Sequence, residues 1–251
     1  MSLRLYRYFQ ACLLIALGIF LASKIVSNKL IWYINPRFIP LTVLAVFVLL
    51  FIGLVVLRAG GRTGQDHSRE SEQEQDPGHE HNPSTWRLVV ITLPLAVGVL
   101  IPAHPLSAAA MAGKGITSAV PITASSSTAV QFGQAADTRT ILDWNSLFES
   151  SSDPSTYLGQ IAYVLGFVYH DPNLKSGQFL VARFALVCCP ADAFAVVMVV
   201  NWPQSASLPT NQWVKVKGPV QSTAFDGQTL PSIQAISVTP VQPPIQIYLY
   251  P

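Results

Sequence analysis

Two adjacent cysteines, Cys188 and Cys189, and an aspartate, Asp192, fall together in the segment LVARFALVCCPADAF (Leu180 to Phe194), which reads as a strand running into a turn. Thiolate sulfur and carboxylate oxygen are ligand types for zinc, and the turn CCPADA could bring them together. The spacing matches none of the usual CxxC or HxxxH zinc patterns, so other chemistries stay open. A disulfide between neighbours is disfavoured, because consecutive α-carbons lie about 3.8 Å apart against a usual minimum of about 4.4 Å. On an ideal strand the two side chains also point to opposite faces. Burial as a small hydrophobe is the plainest reading for at least one of them. Thiol redox chemistry is a third reading: Arg183 would share a strand face with Cys189, where its charge would lower that thiol's pKa.

A second set of ligand types is His67, His79 and His81. GHEH (Gly78 to His81) places two imidazoles around a carboxylate, donors suited to a borderline divalent metal, within an acidic segment whose composition favours a solvated loop. No Walker loop, dinucleotide fingerprint, GxSxG or HExxH occurs, so the expectation is a protein that is not an enzyme. After Ala136 acidic residues outnumber basic ones and Lys215 and Lys217 are too few, which argues against a nucleic-acid partner.

The elements that carry these residues divide sharply by composition. Half of the chain is hydrophobic and 11% is charged, a balance that points to a bilayer once its distribution is followed. Phe9 to Val26 and Phe38 to Leu57 each supply about the 18 to 20 apolar residues that cross ~30 Å of hydrocarbon. Leu88 to Leu106 reads as a third, shorter or kinked span interrupted by prolines. Arg4 and Arg7 precede the first span with no small-x-small cleavage site after it, so it reads as retained. Lys and Arg divide six against four in favour of a cytoplasmic N-terminus, which after three crossings puts the C-terminal part outside the cytoplasm.

The expected organisation is therefore a transmembrane hairpin over 1–58, a polar loop with histidines over 59–87, a third transmembrane helix over 88–106, a flexible Ala/Ser/Thr-rich tether over 107–140, and a β-barrel domain over 141–251. Six of the thirteen acidic residues fall between Asp66 and Glu80, which marks the polar loop as a solvated insertion. In the last part, five β-branched or aromatic runs are bounded by Pro, Gly, Asp and Asn: Gln160 to His170, Gly177 to Cys189, Ala193 to Val200, Asn211 to Ser222 and Pro231 to Val241. WVKVKG alternates with the period of a half-buried strand. Five strands in about 110 residues suit a small barrel of the oligonucleotide/oligosaccharide-binding (OB) type. LDWNSLF (Leu142 to Phe148) reads as a short helix covering one end of it.

The three spans, the His-containing loop, IPAHPLSAAAMAGKGI, GFVYHD, FLVARFALVCCPADA and WVKVKG together resemble the YcgQ-like family of permease subunits, bacterial membrane proteins of unknown function. The most specific part is the R-x4-CC-x-AD segment, which falls here on Arg183, Cys188, Cys189, Ala191 and Asp192. The resemblance implies a multi-span permease as partner in the bacterial plasma membrane, contact with lipid, and a link to zinc. The expected function is an accessory subunit of a permease complex that assists metal handling. The alternatives are an extracytoplasmic adaptor with structural cysteines and a thiol-redox membrane protein.

Overall fold

The computed structural model describes residues 3–60, 85–101, 104–114, 135–225 and 227–251, which form two compact units. His67, His79 and His81 lie outside these residues. The first unit holds three helices: α1 (Leu3–Val26), α2 (Ile39–Gly60) and α3 (Thr85–Leu100). At 1.5 Å per residue α1 and α2 measure about 36 and 33 Å, enough to cross hydrocarbon, whereas the 16 residues of α3 measure about 24 Å. Large apolar side chains such as Leu44, Phe47 and Phe51 are exposed on α2, as expected of a helix whose solvent is lipid. α1 and α2 approach closely at glycines. A Cβ on Gly53 would stand 2.7 Å from Ile15 and one on Gly18 2.8 Å from Leu50, the small-residue packing that association in lipid favours.

The second unit comprises residues 31–35, which connect α1 to α2, and residues 104–251. Its helices are α4 (Ala108–Lys114) and α5 (Ile141–Ser150), and its strands are β1 (Ile161–Tyr169), β2 (Gln178–Ala185), β3 (Phe194–Asn201), β4 (Trp213–Phe225), β5 (Gln228–Gln234) and β6 (Ser237–Pro240). They make one six-stranded mixed sheet, so the expected five strands are corrected to six. The run expected as one strand over Pro231 to Val241 is broken at Ala235 and Ile236, and its halves, β5 and β6, pair in turn with one long strand, β4. β3 and β5 pair in parallel through three residues; the other pairings are antiparallel. β1 pairs with β4 as well as β2, so five strands hydrogen-bond in a ring while β6 adds to β4 outside it. The arrangement is a mixed sheet with short seams rather than a clean barrel.

β2 and β3 are buried on both faces, which is why they read as continuous apolar runs. One face joins Val181, Val196, Met198 and Val216 to Ile141, Trp144 and Leu147 of α5. The other joins Leu180, Ala182, Phe184 and Val197 to Met111 of α4 and Tyr248. α5 forms where LDWNSLF predicts a helix. A capping box between Thr140 and Asp143 starts it, and buried Asn145 donates to the Val197 carbonyl at 3.0 Å, tying it to β3. The end of the expected third span and the start of the expected tether pack on the β-domain: the Leu106 amide donates to the Tyr248 hydroxyl (2.8 Å) and the Ala108 amide to Asn211 Oδ1 (2.7 Å). In β4 the alternation of WVKVKG holds, with Val214 and Val216 buried and Lys215 exposed, although Trp213 on the lysine side is buried against Phe167.

Candidate metal centre

The loop from Leu186 to Ala193 joins β2 to β3 and carries all three ligand candidates. β2 stops at Ala185 rather than at Cys189, because the amides from Val187 to Cys189 are taken by a side chain instead of a ladder partner. The Asp192 carboxylate accepts the N–H of Val187 (3.1 Å), Cys188 (2.7 Å) and Cys189 (3.2 Å). Asp192 N–H closes the turn on the Cys189 carbonyl at 3.1 Å. This wrapping overturns the expectation that the two thiols face opposite ways. The sulfurs of Cys188 and Cys189 and a carboxylate oxygen of Asp192 all lie within 4.8 Å of one another.

Neither cysteine fills the core: Cys188 is exposed, Cys189 half-buried, and both are free thiols. The Cys188 thiol is pushed up to about 12, first by its hydrogen bond to Asp192, then by Cys189 and burial. Burial works to raise the Asp192 carboxyl, but the Cys188 thiol and the three amides outweigh it and hold the acid below its usual range. The ionised Asp192 carboxylate repels a thiolate at Cys188, so that thiol keeps its proton until a cation joins them. A divalent ion replacing the thiol proton relieves that repulsion, and two sulfurs with one oxygen suit zinc with a coordination position left open.

The opposite edge of the same main chain is held by Asn35, which lies 4% exposed in the connection between α1 and α2. Its Nδ2 donates to the Val187 carbonyl at 2.9 Å and more distantly to that of Leu186, while its own amide donates to the Cys188 carbonyl at 2.9 Å. Asn35 was not legible as a site residue; an asparagine before a proline inside the apolar run LIWYINP is the one signal that could have drawn notice.

Arg183 is corrected from a neighbour of Cys189 to an anchor of the C-terminal segment. Buried on β2, it donates from Nε to the Ile247 carbonyl (3.1 Å) and from Nη2 to the carbonyls of Gln246 and Tyr248 (3.4 Å for the latter), and its guanidinium lies 5.7 Å from the Trp213 ring centre. Desolvation draws it down to about 10, against the effect of Tyr250, so it stays charged at neutral pH. The segment it holds runs beside β2: Leu186 N–H donates to the Leu249 carbonyl and Leu249 N–H to that of Phe184, each at 2.9 Å.

Two family models match the chain: DUF1980 N-terminal domain over residues 9–117 and DUF1980 C-terminal domain over residues 144–251. "UPF0703 protein YcgQ" of Bacillus subtilis (strain 168) is 26% identical over 99 residues, 39% of this chain and 35% of that protein, so the match spans about a third of that relative. The "Putative two-component membrane permease complex subunit" of Streptococcus mutans serotype c is 24% identical over 262 residues, covering 89% of this chain and 92% of that one. Among solved structures, a small single-stranded DNA-binding protein from Streptomyces coelicolor is 20% identical and covers 32% of this chain and 93% of its own, with a TM-score of 0.22.

Proposed function

Given that the chain belongs to the DUF1980 family, we propose that it is a non-catalytic membrane subunit of a permease complex whose β-domain captures a divalent metal ion, zinc first, at Cys188, Cys189 and Asp192. The observation that supports this most directly is the convergence of three donor atoms within 4.8 Å on an exposed turn. Three protein ligands with an open position suit hand-over to a partner better than a closed structural site. A purely structural role for the cysteines suits their exposure poorly. A redox role suits the raised Cys188 thiol poorly, since the thiolate is the nucleophile. The ring of pairings around β1 to β5 supports reading the domain as an OB-like barrel.

The setting follows from the same unit. Residues 31–35 lie between the two candidate spans and belong with the β-domain, so on this reading an even number of crossings separates residue 35 from residue 104. α2 supplies one crossing and α3 the other, its shortness accommodated by local thinning of the bilayer. The charge bias supports an N-terminus in the cytoplasm of a bacterial plasma membrane and a β-domain outside, and on this reading a multi-span permease and lipid are its neighbours. Single cysteines introduced at Asn28 and Ser207 are expected to react with an impermeant maleimide in intact cells while one at Gln73 does not; reaction of all three or of Gln73 alone would refute this topology.

The metal reading is tested on the full chain, reduced and in detergent. Cobalt is expected to bind one ion per chain with thiolate-to-metal absorption, zinc to displace it, and Cys188→Ala to lower affinity at least about tenfold, as loss of a ligand should. Because both sulfurs bind as thiolates and Cys188 at least gives up a proton, affinity should rise by about tenfold or more per pH unit from pH 6 to 8. Stoichiometry near zero at micromolar metal would sink the reading.

A further inference from the structure

We propose that Asn35 is the positioning residue of the Cys188–Cys189–Asp192 turn, and that metal capture there is coupled to docking of the connection between α1 and α2. This deepens the metal reading above and rests on it. The main chain from Leu186 to Cys189 has two edges. Asp192 accepts the amides of 187, 188 and 189 along one edge. Asn35 donates to the carbonyls of 186, 187 and 188 along the other. The first clamp comes from within the loop, while the second arrives from 151 residues earlier in the chain.

The chemistry of the second clamp is specific to asparagine in its place. Its side-chain amide donates through two N–H groups, which alanine cannot do, and an aspartate there would set carboxylate oxygens against carbonyl oxygens. Pro36 follows directly and disfavours helical backbone at Asn35, whose own amide meets the Cys188 carbonyl. Tyr250, just beyond the segment gripped by Arg183, reaches the Ile31 carbonyl at 3.5 Å, so the docked connection touches the β-domain at a second point. The exposed loop can be hydrated when Asn35 is lost, so the fold survives while the sulfurs lose their fixed frame.

Coupling follows by linkage. If docking tightens metal binding by some factor, metal tightens docking by the same factor. That connection is the piece of chain that leads into both α1 and α2.

The experiment uses the full-length chain, reduced and in detergent micelles, as wild type, Asn35→Ala and Asn35→Asp. Cobalt titration is expected to show about tenfold weaker binding for Asn35→Ala, in the range found for groups that orient ligands, and a larger loss for Asn35→Asp. Hydrogen exchange of the wild type is expected to show slower exchange of the Asn35 amide with zinc than without, a response that a merely structural residue would not give. Equal cobalt affinity in wild type and Asn35→Ala, or an Asn35 amide indifferent to zinc, overturns the proposal. The exchange measurement needs no variant, so a substitution that misfolds does not shield the idea. Should the wild type take up no metal, the metal reading fails and coupling to metal fails with it. Positioning is then judged by the ratio of iodoacetamide labelling at Cys188 and Cys189, which Asn35→Ala is expected to change severalfold and which, if unchanged, overturns positioning too.

Discussion

Replacing Arg183 by methionine is expected to destabilise the β-domain by about 3–5 kcal/mol, lowering its melting temperature by about 10 °C. The guanidinium is buried and donates to three consecutive carbonyls, those of Gln246, Ile247 and Tyr248. Methionine fills similar volume but leaves those carbonyls without their donor, and the unmet acceptor at buried Tyr248 costs more than the bond itself contributed, whereas exposed Gln246 can turn to water. Lysine should recover only part of the loss, because a single ammonium on a flexible stem cannot reproduce the planar fork. Proteolysis should then strike first near Gln246, where the segment is released. Thermal unfolding of wild type, Arg183→Met and Arg183→Lys checks the order; a methionine variant within about 2 °C of wild type would show that the segment is held by its apolar contacts alone.

A comparable effect is expected at Gly218. A Cβ there would overlap the Gln234 carbonyl oxygen and stand 2.9 Å from Ile233 Cγ2. The position is where β4 hands its pairing from β6 to β5, and Gln234 is the last residue of β5. The main chain comes close at that bend because no side chain intervenes. Gly218→Ala is therefore expected to cost about 3 kcal/mol, toward the upper end for overpacking, since backbone has to move. Denaturant unfolding would check it, with Gly227→Ala as a comparison in which the added Cβ meets nothing but the backbone is left-handed (φ +75°). If Gly218→Ala proves the milder of the two, the sheet yields at the bend more readily than the geometry indicates.

Local patterns were legible in the sequence, and distant ones were not. The period of WVKVKG gave the buried Val214 and Val216, and the capped LDWNSLF gave α5, because each depends on neighbours within one turn or one strand. The same reasoning extended β2 through the cysteines and turned their side chains apart. It erred because Asp192 takes three amides that an ideal strand would offer to its neighbour. Arg183 was read by strand parity alone, but its partners stand 63 to 65 residues away. Asn35 lies 152 residues from the Val187 carbonyl that its side chain meets, and no periodicity carries that far. The candidate ligands were thus recognisable by type, whereas the frame that holds them was not.

The bonds that Leu249 makes to Phe184 in β2 and to Leu186 just beyond it also set an order in time. During synthesis β2 and β3 leave the ribosome well before Gln246, and until that residue follows, Arg183 has none of the three carbonyls it is built to meet. Closure of the domain waits for that segment, and the connection at Asn35, made more than 150 residues earlier, has to wait for the turn it will hold. A ribosome that stalls a few codons short of Gln246 would therefore release a chain with every strand present and its buried charge still looking for a partner.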